Sequence, residues 1–263
     1  MMHGSIIEKL VEDAIENDWI KVYYHPIYDA TKGKFTSAEA LVRIIDDTGK
    51  MIPPFEFIPI SERNGSIIQI GRIVFEKVCK FIHEVDICSM GLEYIEVNLS
   101  VLQCIDSILY EEYIQIMEKY EINPKMINLE ITETGTVQHK RNLLNNMNSL
   151  IDYGVTFTLD DFGTGQSNLN YIMEMPVKLV KFDKEMLDAY FKQEKAKYIM
   201  EAAMHMIHGM SLNIVAEGIE TREQFEAMEA MNFKFMQGYY FARPMPRDDF
   251  VTFIMNNCIG YKK

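Results

Sequence analysis

The stretch KVYYHPIYDATKGKFTSAEALVRI, residues 21–44, decides the fold. Two runs rich in Val, Ile, Tyr and Phe, 21–27 and 35–44, read as strands. The connection between them, 28–34, carries Asp29 and Gly33 and is too short for a parallel crossover, so this pair is expected to be antiparallel. Downstream the rhythm changes. Strand-like runs at 94–99, 126–131, 155–159, 179–182, 213–216 and 235–238 are separated mostly by amphipathic stretches, clearest at 67–85, 110–120, 141–153, 184–210 and 222–231. Thr221, with Gln224 three residues on, is a capping-box signal for the last of these. Helical crossovers argue for a parallel sheet, and eight strands argue for closure into an α/β barrel, irregular at its start. No linker or internal repeat divides the chain. It is expected to be one barrel domain over 21–263 behind a helical lead-in at 1–20.

The chain has 263 residues, close to the roughly 250 of a single barrel. Its formal net charge of -13 repels polyanions, so neither a nucleic-acid polymer nor an anionic membrane is an expected partner. One small anionic ligand stays open, because bound cations can reverse the local field. Cys79, Cys88, Cys104 and Cys258 form no close pair and read as buried free thiols in a reducing cytoplasm. No apolar run is long enough to span a membrane, and with Glu8, Glu12, Asp13 and Glu16 the first residues are not expected to act as a signal peptide. Met1-Met2-His3-Gly4-Ser5 reads as an appended or trimmed start, and the natural protein is expected to extend upstream.

Polar residues recur where the strands end. Glu39 and Arg43 lie in the second strand, Asn98 ends the third, and Glu130 the fourth, with Glu133 just beyond. Asp160 and Asp161 follow 155–159. Lys181 and Asp183, then Glu217, then Gln237 close the series. Such groups are costly to bury singly, but at strand C-termini they converge on the face where barrels do chemistry. Glu39, Asn98, Glu130, Asp160 and Asp161 offer only hard oxygens, which suits Mg²⁺ or Mn²⁺. The adjacent pair Asp160-Asp161 would repel without a cation between them, and Asp160 can bridge two ions. Two such ions form a clamp for phosphodiester cleavage. The bland alternative for the Asp pair is a helix N-cap. Gly163 and Gly165 argue against it, since closely spaced glycines let backbone approach or fold over a ligand.

Together the segments Glu39-Ala40-Leu41-Val42-Arg43, Asn98-Leu99-Ser100, Glu130-Ile131-Thr132-Glu133, Asp160-Asp161-Phe162-Gly163-Thr164-Gly165, Lys181-Phe182-Asp183, Ala216-Glu217-Gly218-Ile219-Glu220 and Gln237-Gly238-Tyr239 resemble the EAL domain, a bacterial cyclic di-GMP phosphodiesterase. The resemblance runs from about Lys21 to Pro246; each motif alone is weak, and their order is specific. It implies an α/β fold, a modified TIM (β/α)8 barrel with one antiparallel strand near the start. It implies a first metal held by Glu39, Asn98, Glu130 and Asp160, and a second shared by Asp160 and Asp161. Arg43 would grip a phosphate, with Leu41, Asp183 and His25 also at the substrate. Lys181 and Glu217 would position or deprotonate the attacking water, with the base left open between them. Gln237 would touch substrate or orient Glu217, while Glu133, Gly163 and Gly165 support the loop. The implied reaction is hydrolysis of cyclic di-GMP to linear pGpG by metal-activated water, in a cytoplasmic homodimer with an upstream sensory or cyclase domain.

Two departures bear on activity. His25 stands where the family usually has Gln, and it is either a ligand contact or a rim histidine. Gln166-Ser167-Asn168 replaces the usual Tyr-Ser-Ser in the loop linking metal site to dimer interface. These keep a second reading alive, a non-catalytic cyclic di-GMP receptor or protein-interaction module on the same scaffold. Met200, Met204, Met206 and Met210 read as flexible packing, His205 and His208 as histidines away from the barrel mouth, and Glu220 as loop support or a cap.

Overall fold

The computed structural model describes residues 2–132, 140–163 and 169–257. Eight strands close a barrel: β1 (Ile20–Asp29), β2 (Lys34–Ile45), β4 (Tyr94–Asn98), β5 (Ile127–Thr132), β6 (Thr156–Phe162), β7 (Leu179–Phe182), β8 (Asn213–Ala216) and β9 (Phe235–Met236). Short β3 (Met51–Ile52) and β10 (Met245–Pro246) extend β2 and β1. The closed order is β1-β2-β4-β5-β6-β7-β8-β9 and back to β1. Strand β1 runs against both neighbours, and all other barrel pairings are parallel. This is the modified barrel, antiparallel at its start, that the short 28–34 connection requires. Its turn is fixed locally. Asp29 Oδ1 accepts from the backbone N of Thr31 (2.9 Å) and Lys32 (3.1 Å), and Gly33 supplies a left-handed φ of 65°.

Helices cover the outside: α1 (Met2–Glu16), α2 (Pro54–Asn64), α3 (Ile67–Val85), α4 (Val101–Cys104), α5 (Leu109–Lys119), α6 (Lys140–Tyr153), α7 (Leu169–Glu174), α8 (Lys184–Lys192), α9 (Glu194–Gly209), α10 (Arg222–Ala230) and α11 (Arg247–Asn257). The lead-in α1 buries Ile7, Val11 and Ala14 in the main core and exposes Glu8, Glu12 and Glu16. The period of two along each strand separates two interiors. Ile95 and Val97 of β4 join the core beneath the helices. On the other side, Ile27, Leu179, Val215 and Phe235 form a small cluster of their own. Leu179 and Val215 precede Lys181 and Glu217 by two residues, so this cluster is the apolar floor of the barrel beneath the polar mouth.

Two expectations need correction. The single helix expected at 184–210 is two helices, because Gln193 is extended (φ -137°, ψ 126°) between α8 and α9. The helical spacing that buries Leu187 would, if continued, bury Glu194 and Glu201, which are exposed. The break rephases α9 so that Met200, Ala203, Met204 and Ile207 face the core instead. Cys88 is exposed rather than buried, while Cys79 and Cys104 are buried and Cys258 lies outside the described residues. His205 and His208 are exposed on α9. No described helix is long and apolar enough to cross a membrane.

Helix α3 passes α4 with no room for a side chain at Gly71, where a Cβ would stand 1.7 Å from Gln103 Nε2. Gln103 is 2% exposed, and its Oε1 closes the capping box of α4 on Ser100 N at 3.0 Å. Gly71→Ala gains about 1 kcal/mol of helix propensity but costs about 1–3 kcal/mol in overpacking and about 1 kcal/mol in the lost cap. Thermal unfolding of the variant should show a Tm lower by roughly 3–6 °C. An unchanged or higher Tm would mean that Gln103 swings aside without loss.

Candidate active site

At the barrel mouth one ammonium is enclosed by carboxylates. Lys181 of β7 is 1% exposed. Its Nζ pairs with Glu130 of β5, with Glu217 just after β8 (2.6 Å) and with Glu39 of β2 (3.4 Å). Glu96 of β4 lies deeper, 3.9 Å away. Glu39 is pinned on both oxygens. Asn98 Nδ2 donates to Oε1 (2.9 Å) and Gln237 Nε2 to Oε2 (3.0 Å). The Asn98 amide oxygen therefore remains available as a ligand. Oxygens of Glu130, Asp160 and Glu217 lie within 4.8 Å of one another. That trio overlaps the sequence-based ligand set at Glu130 and Asp160 and adds Glu217.

The cluster is short of positive charge. Burial pushes the Glu217 carboxyl up to about 8, Glu96 up to about 7 and Asp161 up to about 6, with Lys181 opposing and neighbouring carboxylates adding. Glu130 and Asp160 move up for the same reason. Glu39 moves down. Burial acts against its charge, but Lys181, His25, Asn98 and Gln237 together outweigh it. Lys181 moves up, because Glu130, Glu217, Glu39 and Asp160 overcome its own desolvation. Glu130 Oε2 and Asp160 Oδ1 are buried without a hydrogen-bond partner. Buried carboxylate oxygens left bare in this way are costly unless a cation meets them.

Asp160 and Asp161 belong to β6 and cap no described helix. Asp161 has a left-handed φ of 56°, uncommon outside glycine, and the strand register shifts between Leu159 and Phe162. A regular strand points adjacent side chains to opposite faces, and this local twist departs from that alternation at the Asp pair. Gly163 follows at φ 105°. Asp183 caps α8, accepting from Glu185 N at 2.6 Å. Glu133, Gly165 and the segment Gln166-Ser167-Asn168 lie outside the described residues.

Beside the cluster a cavity of about 240 Å³ runs from Glu39, Asn98 and Glu130 past Leu41 and Arg43 to an apolar wall of α2 and α3 that includes Ile58, Ile67 and Val74. Half-buried Arg43 lies over the Tyr23 ring at 5.7 Å, and its Nη1 donates to Val42 O at 2.8 Å. A smaller cavity of about 220 Å³ on the other side meets His25, Glu217, Gln237 and Tyr239. His25 lines this cavity, 9% exposed, with Nε2 3.0 Å from Ala242 O, and burial lowers its pKa. Gln237 Nε2 donates to Glu39 Oε2 at 3.0 Å and reaches His25 O at 3.5 Å, and no described bond joins it to Glu217. Glu220 pairs with Lys184, which supports its loop.

Sequence reasoning missed Glu96, together with Asn128 in register beside it and Thr158, whose Oγ1 donates to Asn128 Oδ1 at 2.8 Å. The available signal was parity. Glu96 precedes Asn98 by two residues, and Asn128 precedes Glu130 likewise, so each shares the inward face of its strand. Glu62 of α2 was also missed; it accepts from Ser100 Oγ at 2.7 Å and ties α2 to the site.

The EAL domain profile matches residues 8–244. The signaling protein YkoW of Bacillus subtilis is 32% identical over 248 residues, 94% of this chain and 31% of the relative. The cyclic di-GMP phosphodiesterase PdeL of Escherichia coli is 28% identical over 95% of this chain and 69% of its own length. The chain spans about a third of the length of the first curated relatives it matches. The solved EAL enzyme Bd1971, with cAMP and cyclic di-GMP bound, superposes with a TM-score of 0.89 at 25% identity, covering 96% of this chain and 69% of that one. With the profile spanning nearly the whole barrel and the strand-end motifs converging on one mouth, the chain belongs to the EAL domain family.

Proposed function

We propose that this chain hydrolyses cyclic di-GMP to linear pGpG at the barrel mouth, in a reaction that depends on divalent cations. The observation that carries the reading is the excess of buried carboxylate over positive charge around Lys181, with bare oxygens on Glu130 and Asp160. The donors are hard oxygens, so Mg²⁺ or Mn²⁺ fits them. Glu39, Asn98, Glu130, Asp160 and Asp161 are the proposed ligands of up to two ions, which when bound would neutralise the phosphodiester and acidify a water.

The protein's own groups then divide the work. Arg43 holds a phosphate oxygen at the cavity edge, and Leu41 with the α2–α3 wall takes the flat apolar face of a guanine. Of the pair Lys181 and Glu217, only Glu217 is open to the mouth, its side chain 19% exposed against 1%. Glu217 therefore takes the proton of the attacking water, while Lys181 holds its carboxylate in place from 2.6 Å. The water oxygen bonds to phosphorus, the bond from phosphorus to the 3′ oxygen breaks, and the proton finishes on that oxygen. Gln237 and Asn98 keep Glu39 oriented. Similarity to a relative named as a cyclic di-GMP phosphodiesterase, and to an EAL enzyme solved with cyclic di-GMP bound, supports the substrate class.

Incubation with cyclic di-GMP and Mn²⁺ should yield pGpG by chromatography, and EDTA should abolish it. Glu39→Ala should lose about 100-fold or more in rate with its fold intact; retained turnover would overturn the cation assignment. Tight binding without turnover would make the chain a receptor. Lys181→Ala should lower kcat by about 10²–10⁴ while cyclic di-GMP affinity changes little; an equal collapse of binding would make Lys181 a phosphate contact instead.

The electrostatics predict a further signature. Asp161, Glu96 and Glu217 have folded values above their unfolded ones, so the stability they contribute is present at low pH and lost as pH rises through 6 to 8. His25, held neutral by burial, acts in the opposite sense below its ordinary 6.5, one group against several. Metal-free protein should therefore have a lower Tm at about pH 8 than at about pH 6, and saturating Mn²⁺ should remove most of the difference. A Tm that rises across this window in EDTA would contradict the charge balance.

A further inference from the structure

Lys181 forms ion pairs with four carboxylates, and the proposed hydrolysis employs three. Glu39 and Glu130 are assigned to cations and Glu217 to the water. The fourth, Glu96, is fully buried, and neither of its oxygens has a hydrogen-bond partner. Its Oε2 is 3.9 Å from Lys181 Nζ. It stands on the inward face of β4 two residues before Asn98, in register with Glu39 of β2 and, at 0% exposed, more fully buried than it. In register beside it on β5 is Asn128, whose Oδ1 accepts from Thr158 Oγ1 at 2.8 Å. That bond commits the amide oxygen, so the Asn128 group left to donate is Nδ2, which is also without a partner. Thr158, Asn128 and Glu96 are all buried, and the unused Asn128 donor sits in register beside the Glu96 carboxylate, which has no hydrogen-bond partner.

Cations in the mouth would change what Lys181 feels. They would draw off the charge of Glu39 and Glu130 and place positive charge above the ammonium. A buried ammonium so placed needs a counter-charge that the cations do not reach. We propose that Glu96 is this counter-charge, a positioning residue that seats the Lys181 ammonium below the cation sites and aims it at Glu217. It touches neither substrate nor reacting atoms. The inference rests on the proposed hydrolysis, and its test separates the two.

The experiment uses the whole chain with Glu96→Gln, which keeps the shape and removes the charge, and Glu96→Asp, which keeps the charge. With Mn²⁺ and cyclic di-GMP, Glu96→Gln should lower kcat about 10–100-fold with KM within about twofold, and Glu96→Asp should recover part of the loss. A second readout needs no turnover. In saturating Mn²⁺, Glu96→Gln should lower Tm by about 3 °C when Lys181 is present. In a Lys181→Met background the same change should leave Tm unchanged or raise it, because it then removes a buried charge without a partner. Equal Tm shifts in the two backgrounds, or a kcat unaffected by Glu96→Gln, would overturn the proposal. Wild-type pGpG formation without the reversal would leave the hydrolase and remove the role of Glu96. A reversal without pGpG would leave the ion pair and remove the hydrolase.

Discussion

The Lys181 ammonium, 1% exposed among the carboxylates of Glu39, Glu96, Glu130 and Glu217, is the interaction on which the rest depends. A single buried positive charge cannot satisfy so many acids, and the upward shifts of Glu96, Glu130, Asp160 and Glu217 express the shortfall. Folding alone would favour replacing such a cluster by apolar side chains. Its presence therefore points to a group that arrives later and brings charge with it. Strain at Asp161, left-handed at the end of β6, fits the same logic.

The barrel makes the cluster affordable. Parallel strands deliver inward side chains to a common ring, above the apolar floor of Ile27, Leu179, Val215 and Phe235. Strand β1, reversed against its neighbours, brings His25 opposite Glu39. Its bond to Ala242 fixes the rim there. The α2–α3 wall, tied in through Glu62 and Ser100, supplies the apolar side of the cavity. Polar chemistry and apolar shelf thus meet along β2, where Glu39, Leu41 and Arg43 alternate.

Much of this is written in the chain. The eight barrel strands fall close to where the apolar runs place them, because each is short and bounded by polar or turn residues. Strand-end acids such as Glu130 and Asp160 were legible because an acid after an apolar run is conspicuous. Glu96 was not. In Tyr94-Ile95-Glu96-Val97-Asn98 it follows the alternation of a half-exposed strand, and only closure of the sheet turns that polar face inward. The break at Gln193 was hidden because both halves of 184–210 are good helical sequence, and only the phase of their buried stripes differs. Asp183 reads from sequence as a site residue, but its position before Lys184-Glu185 is also an N-cap signal, and its carboxylate does cap α8.

The central claim is that the mouth lacks positive charge which a divalent cation supplies. Calorimetric titration of Mn²⁺ into metal-free protein near pH 6.5, repeated in buffers of different ionisation enthalpy, measures both the binding and the protons it displaces. The account predicts saturable binding with release of about one proton or more per chain, because carboxyls held protonated by burial must ionise to meet the ion. Binding without proton release, or no binding, would mean that Lys181 alone balances the cluster.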